Sequence, residues 1–221
     1  MENNVVTIHN MPQRSDEWFE ARLGRITGSI MKDYVKADGT LKSNSVIKKH
    51  ISKKIAEIIL NKPPMSSVDS SDMHRGRELE DVALALHYAV GYEDVGFVTN
   101  VNFKYFGHSP DSVLIEDSEM TKAVEVKCLN DANHIHAITE DVIPIEYKHQ
   151  MGLLFVLSPS ISTQVLLLFN PNFDGALERF IIPFNKSDNN KYLNNLRESM
   201  IKITEIIDEQ LTTLNNVVYH V

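Results

Sequence analysis

Between Val95 and Cys128 the hydrophobic period of the chain switches, and that switch limits its possible folds more than any other feature. Upstream, Ile47, Ile51, Ile55, Ile58 and Ile59 recur at helical spacing within Asn44–Leu60, with Lys48, Lys49, Lys53 and Lys54 between them. Downstream, Val95–Phe103, Ser112–Glu116 and Lys122–Cys128 read as strands, and Asp117-Ser118-Glu119 supplies the turn between the last two. A helical pattern returns at Ile145–Leu157 behind Pro144. Strands follow at Gln164–Phe169 and Leu177–Pro183, then a last helix from about Asp188 to Leu214. Before the switch, short helices are expected at Ser15–Leu23, capped by Ser15, and at Thr27–Tyr34. A longer one is expected at Ser71–Val90, with Met73, Leu79, Val82, Ala83, Leu86 and Val90 on its apolar side and Gly91 after its end. Helices, a strand meander, a helix, two strands and a helix predict an α/β or α+β core, a central mixed sheet flanked by helices.

At 221 residues and 43% hydrophobic content the chain is expected to form one domain, 1–221, with an ample core. The candidate linker Asn61–Asp72 is too short to separate two domains. The formal net charge is −8, so no general basic coat exists. Nucleic-acid binding would need a local basic patch, metal ions, or both. One cysteine excludes a disulfide framework and a Cys-based zinc or iron–sulfur cluster, and suits a reducing compartment. Met1-Glu2-Asn3-Asn4 lacks a signal-peptide pattern, and runs such as Val165–Phe169 are too short to span a bilayer. A soluble cytoplasmic protein, with no membrane partner, is the expectation.

Chemistry concentrates in Ser109-Pro110-Asp111 followed by Glu125-Val126-Lys127. Residues i and i+2 of a strand share a face, so Glu125 and Lys127 point one way and Val126 and Cys128 the other. A hairpin would bring Asp111 beside Glu125. Two carboxylates are hard oxygen ligands for Mg²⁺ or Mn²⁺, and such ions serve phosphodiester hydrolysis. A lysine there can orient or deprotonate water, the latter if its pKa is lowered. The same residues also fit an exposed hairpin face carrying a cross-strand ion pair.

Two further stretches bear on this. Gly76, Glu80, Ala83 and His87 lie along one helical stripe, which would turn Glu80 inward, where it needs a metal or Lys127 as partner. An ordinary solvated first turn fits the same residues. In Arg14–Ser29, Arg22, Thr27 and Ser29 combine a guanidinium, hydroxyls and a helix start, the ingredients of a phosphate site. Trp18 anchoring a surface helix, with the polar residues as caps, is the plainer reading.

Taken in order, R-x3-W-x3-R-x-G-x-I-T-x-S, G-x-x-x-E on a helix, S-P-D…E-x-K and Y-x-x-Q on a helix, the pattern resembles the lambda-exonuclease/YqaJ-type viral recombinase nucleases of the PD-(D/E)-x-K superfamily. The resemblance runs from Arg14 to Phe155. It implies a restriction-endonuclease-like core with the active site at one sheet edge. It implies Glu80, Asp111, Glu125 and the Val126 carbonyl as metal ligands, Lys127 as the lysine that handles water, and Gln150, with Tyr147, as support. Arg22, Ser29 and Ser109 would hold a terminal 5′-phosphate. The implied activity is Mg²⁺-dependent 5′→3′ degradation of one strand of linear duplex DNA, with Mn²⁺ able to substitute. It leaves 3′ tails for phage-type recombination. A homotrimeric ring and a single-strand annealing protein are the implied assembly and partner. Where the family often carries Q-x-Q, this chain has Gln150-Met151-Gly152, so the second amide is missing.

A restriction-type or structure-specific endonuclease, and a catalytically inactive DNA-end-binding subunit, are the alternatives. Arg22, Thr27 and Ser29 favour an end-reader, and the presence of Glu80, Asp111, Glu125 and Lys127 argues against a dead copy. The lysines at 32, 48, 49, 53 and 54 are candidates to line a DNA channel or simply a solvated face. His134-Ile135-His136, in a stretch read as loop, has strand-type metal spacing but nothing to complete a zinc site. No Gly-rich phosphate loop supports an ATP-driven motor.

Overall fold

A computed structural model describes residues 6–62, 71–87 and 91–218. In chain order its elements are β1 (Val6–His9), α1 (Asp16–Arg22), β2 (Ile26–Thr27), α2 (Asn44–Leu60) and α3 (Ser71–His87). Then come β3 (Tyr92–Glu93), β4 (Phe97–Asn100), β5 (Phe106–Gly107), β6 (Ser112–Glu116) and β7 (Glu119–Lys127). The chain closes with α4 (Asp131–Glu140), α5 (Ile145–Leu157), β8 (Thr163–Phe169), β9 (Arg179–Asn185) and α6 (Asn190–Val218).

The main sheet has the order β3-β6-β7-β8-β9. Its β7–β8 pair is parallel and the other pairs are antiparallel, so the sheet is mixed as expected. The β6–β7 turn places Asp117 and Ser118 at φ 51° and 67°, the left-handed pair that lets a tight hairpin follow the strand twist. A parallel pair cannot be joined by a tight turn, and α4 and α5 supply the crossover from β7 to β8. Two small pairs, antiparallel β1–β4 and parallel β2–β5, lie beside the main sheet.

Packing explains the helices. From Met151 to Leu157 every residue of α5 is buried, which is why its sequence is apolar all round rather than striped. The longer α6 shows the stripe instead, burying Leu193, Leu196, Met200, Ile203 and Ile207. Val124 and Val126 of β7 pack with Ala83 and Leu84 of α3 and with Leu167 and Phe169 of β8. Ala123 belongs to the larger core with α5 and α6. The central strand is therefore covered on both faces along its middle, and the charged side chain it buries, Glu125, lies near its C-terminal end.

Several expectations change in detail. Val95–Phe103 is not one strand. Buried Asn100 ends β4 by accepting a bond from Asn102 N at 2.9 Å, and a 3₁₀ turn follows. The segment after Thr27 is a 3₁₀ turn, Gly28–Asp33, and not an α-helix. The stretch read as loop around His134 and His136 is α4, opened by Asn130, whose side chain caps Asn133 N at 3.0 Å. On α2, Ile47, Ile51 and Ile55 are buried but Ile59 is exposed, and Val82 and Leu86 of α3 are exposed too. The termini of the chain, Met1–Asn4 included, the Pro63-Pro64 linker and Val90 lie outside the described residues, as do the side chains of Met73 and His87. Among the described residues no helix is long and apolar enough to cross a membrane.

Candidate active site

The β6–β7 register pairs Ser112 with Val124, and carried one residue further it faces Asp111 with Glu125. The Asp111 Oδ2 accepts a hydrogen bond from Val126 N at 2.6 Å, which fixes that carboxylate at the hairpin's open end. Strand alternation puts Glu125 and Lys127 on the same side of β7. The Lys127 Nζ lies 2.6 Å from Glu125 Oε1 and 2.9 Å from the Val126 carbonyl oxygen. His108 Nε2 stands 3.5 Å from Glu125 Oε2, within ion-pair reach although it makes no hydrogen bond. Glu80 enters from α3 and pairs with Arg14 Nη2 at 3.3 Å. The cluster sits around the C-terminal end of the central strand, β7, at the rim of the sheet. The hairpin and α3 meet there.

The charges act strongly on one another. Burial, followed by the negative charge of Glu125, pushes the Asp111 carboxyl well above the usual range, despite Lys127 and the Val126 N–H. Burial also raises Glu80, opposed by Arg14 and Lys127 and reinforced by Glu125. For Glu125 burial acts upward, but the Lys127 ammonium and His108 outweigh it and hold the carboxyl down at about 2. Lys127 loses solvation, yet Glu125 and then Asp111 hold its pKa above the ordinary lysine value. The arrangement as it stands favours the ammonium form, which suits the orienting role of the two that the sequence left open. A base would require burial without such partners.

All three carboxylates, the Val126 backbone, Lys127 and Gln150 line one cavity of about 540 Å³. Among the described residues no group of three His, Cys, Asp or Glu side chains forms a ready metal cage; Lys127 pairs with Glu125 and Arg14 with Glu80. The donors themselves fit a hard divalent ion: they are carboxylate and carbonyl oxygens, and the Glu125 charge raises both Asp111 and Glu80. Cys128 also lines the wall, and burial pushes its thiol up to about 11.

The same cavity contains the second predicted group. Arg22 donates to Ser109 Oγ at 3.2 Å and Thr27 Oγ1 at 3.4 Å, and Thr27 Oγ1 lies 3.4 Å from Ser29 Oγ. Trp18 stacks under the guanidinium at 4.0 Å and donates its indole N–H to Ser109 Oγ at 2.8 Å and to Gly96 O at 3.1 Å. Burial lowers Arg22 to about 10, which leaves it charged at neutral pH. Its bonds go to hydroxyls rather than carboxylates, so its charge remains available to an anion. The expected helix N-terminus contributes little, because the 3₁₀ turn after Thr27 is too short to carry much dipole.

Around these groups the backbone is tight. A Cβ on Gly28 would lie 2.6 Å from His108 Nδ1 and 3.0 Å from Gln150 Cα. Tyr147 sits beside Lys127, whose Nζ is 5.4 Å from the ring centre. Gly152 faces away from the cavity: a Cβ there would lie 2.7 Å from the Tyr192 hydroxyl. That hydroxyl bonds His149 Nδ1 at 2.9 Å, so α6 fills the place a second glutamine would need. His134 is buried against Phe173 with Nε2 bonded to Leu177 O at 2.7 Å, a packing role. Lys54 is tied to buried Glu57 at 2.8 Å and leaves the list of channel-lining candidates.

The sequence did not flag Gln13, Asn130 or Asn133, which also line the cavity, nor a role for Arg75. Gln13 Nε2 donates to Pro110 O at 2.9 Å and to Val95 O at 3.1 Å, a long-range main-chain contact with no local signature. Arg75 donates to Leu129 O at 3.2 Å.

The chain is similar in structure to an alkaline exonuclease, LHK-Exo, from Laribacter hongkongensis: TM-score 0.77, 22% identity, covering 93% of this chain and 99% of that one. The complex of LHK-Exo with dAMP matches at a TM-score of 0.70 and 22% identity, over 92% and 100% of the two chains. A phage-related exonuclease from Haemophilus somnus 129PT matches at 0.50 and 11% identity, over 86% and 96%. These likenesses show the fold. No curated protein sequence matches. The model of the YqaJ-like viral recombinase domain matches residues 17–156, which hold Arg22, Glu80, Asp111, Glu125, Lys127 and Gln150, and the chain belongs to that family.

Proposed function

We propose that this single domain, 1–221, is a Mg²⁺-dependent exonuclease that degrades one strand of linear duplex DNA 5′→3′ from 5′-phosphorylated ends. The 3′ tails would feed recombination by annealing, beside a single-strand annealing protein, in the cytoplasm. One observation carries this reading: the carboxylate–lysine cluster and the Arg22–hydroxyl group open into one cavity of about 540 Å³. A hydrolytic centre next to an anion socket suits an enzyme that counts nucleotides from a terminal phosphate. The names of the structurally similar exonucleases are consistent with it, and a homotrimeric ring is the assembly the resemblance implies.

Glu80, Asp111, Glu125 and the Val126 carbonyl would hold Mg²⁺, or Mn²⁺ in its place. When bound, such an ion supplies an acidified water and neutralises charge on the phosphate in flight. The chain's own residues do the rest. Lys127, as an ammonium, steers the water and the phosphate oxygens rather than removing a proton. The Val126 N–H keeps Asp111 aimed inward. Arg22, Thr27, Ser29 and Ser109 seize the terminal phosphate and set the register of the strand, while Gln150 borders the reacting atoms.

The test is digestion of end-labelled linear duplex beside a closed circle, with and without Mg²⁺. Mononucleotide release from the linear substrate alone, and only with the ion, is expected. Cutting of the closed circle would instead assign a restriction-type or structure-specific endonuclease, and no cutting of either, with ends still bound, an inactive end-binding subunit.

A further inference from the structure

Arg14 has no part in the scheme above, yet its surroundings are unusual. Its backbone φ is +72°, a left-handed conformation that a non-glycine residue keeps only when its neighbours enforce it. The neighbours do so on both sides. Gln13 bridges Pro110 O and Val95 O, and Ser15 caps α1 by accepting from Trp18 N at 3.2 Å. The clamp spends backbone strain to aim Arg14 over the cavity, where it meets Glu80 at 3.3 Å. Side-chain exposure is 49% for Arg14 and 24% for Glu80, so the pair is a wet one. Wet pairs of this kind are weak and exchange partners readily.

We propose that Arg14 is a DNA-phosphate ligand that Glu80 holds in store. Before cation and DNA arrive, the guanidinium neutralises Glu80. When a divalent cation takes Glu80, Arg14 is released at the cavity mouth and grips a phosphodiester of the entering strand. Cation and guanidinium compete for Glu80 in the free protein, and both serve the same polyanion once it enters. The inference rests on the metal-dependent nuclease reading given above.

Two binding measurements on the full chain test it, neither needing turnover. Free Mn²⁺ is followed by electron paramagnetic resonance without DNA, and duplex binding is followed in Ca²⁺. Arg14→Gln should tighten Mn²⁺ about two- to fivefold, the size of a lost exposed ion-pair competitor. It should weaken duplex binding about tenfold, as for one lost charge-assisted phosphate contact. Arg14→Lys should recover most of both effects. Arg75→Gln removes a positive charge from the same cavity without freeing a carboxylate, and its Mn²⁺ gain should be smaller. An Arg14→Gln protein with unchanged or weaker Mn²⁺ binding, a gain no larger than that of Arg75→Gln, or wild-type duplex affinity overturns the proposal. If the native chain binds no Mn²⁺ at all, the metal reading falls and takes this proposal with it. If ion and DNA bind normally and only the variants fail to respond, the exchange alone is wrong.

Discussion

Lys127 carries three relationships at once: an ion pair to Glu125, a hydrogen bond to its neighbour's carbonyl, and the face of Tyr147. Removing it should leave DNA affinity near that of the native chain while cleavage falls by orders of magnitude. Filter binding of Lys127→Ala in Ca²⁺ beside a turnover assay in Mg²⁺ measures both, and near-native turnover would take Lys127 out of the chemistry. Arg22 acts elsewhere in the cavity. Arg22→Ala should slow 5′-phosphorylated ends about tenfold or more while barely affecting 5′-hydroxyl ends, since it loses a charge-assisted contact that only the phosphate makes. Equal slowing on both kinds of end would show that Arg22 does not read the phosphate. At this scale the sequence was informative about identity and silent about state. Strand alternation and the hairpin turn were enough to bring Asp111, Glu125 and Lys127 together. That Lys127 is held charged follows from burial beside Glu125 and Asp111, which only the packed sheet creates.

The elements show where local pattern gives way to tertiary packing. The helical isoleucine stripe of α2 held for Ile47, Ile51 and Ile55 because those residues face the core, and failed for Ile59 in the last turn, which is exposed. The single strand expected at Val95–Phe103 broke because Asn100 bonds across to the Leu157 carbonyl at 2.7 Å and turns the chain. Around His134 the period is too short and polar to announce a helix, yet the β7–β8 crossover needs one. Gly152 is the clearest case. Its departure from the family pattern reads as a loss in sequence and as a packing requirement in structure, because Tyr192 of α6 occupies the space. Gly152→Gln should therefore destabilise the fold by about 1–3 kcal/mol through overpacking, rather than improve the site. Urea denaturation checks this, and a stability equal to that of the native chain would mean that α6 yields easily there.

For the whole molecule, a chain of net charge −8 must gather its attraction for DNA into one place. The cavity does so with Arg14, Arg22, Arg75 and Lys127 on its walls. Three of those charges face carboxylates or backbone carbonyls, and Arg22 faces hydroxyls. Under the proposed reading, grip on DNA would depend on a divalent ion to offset the acids, whereas turnover would need an ion that also activates water. Ca²⁺ in place of Mg²⁺ should keep binding and abolish cleavage, as seen by titrating labelled duplex and assaying it in parallel; full activity in Ca²⁺ would remove the water-activation account. The fold class was legible because period and order survive into three dimensions. The convergence of Gln13 on Pro110, 97 positions away, and of Arg14 on Glu80, 66 positions away, was not, since no spacing encodes it.

Trp18 is the chain's sole tryptophan, and its indole has the Arg22 guanidinium over its face and donates its N–H to the hydroxyl of Ser109. The protein thus carries a built-in optical reporter. Intrinsic emission comes from the wall that would receive a DNA terminus, so arrival and departure of an end can be timed without attaching a dye.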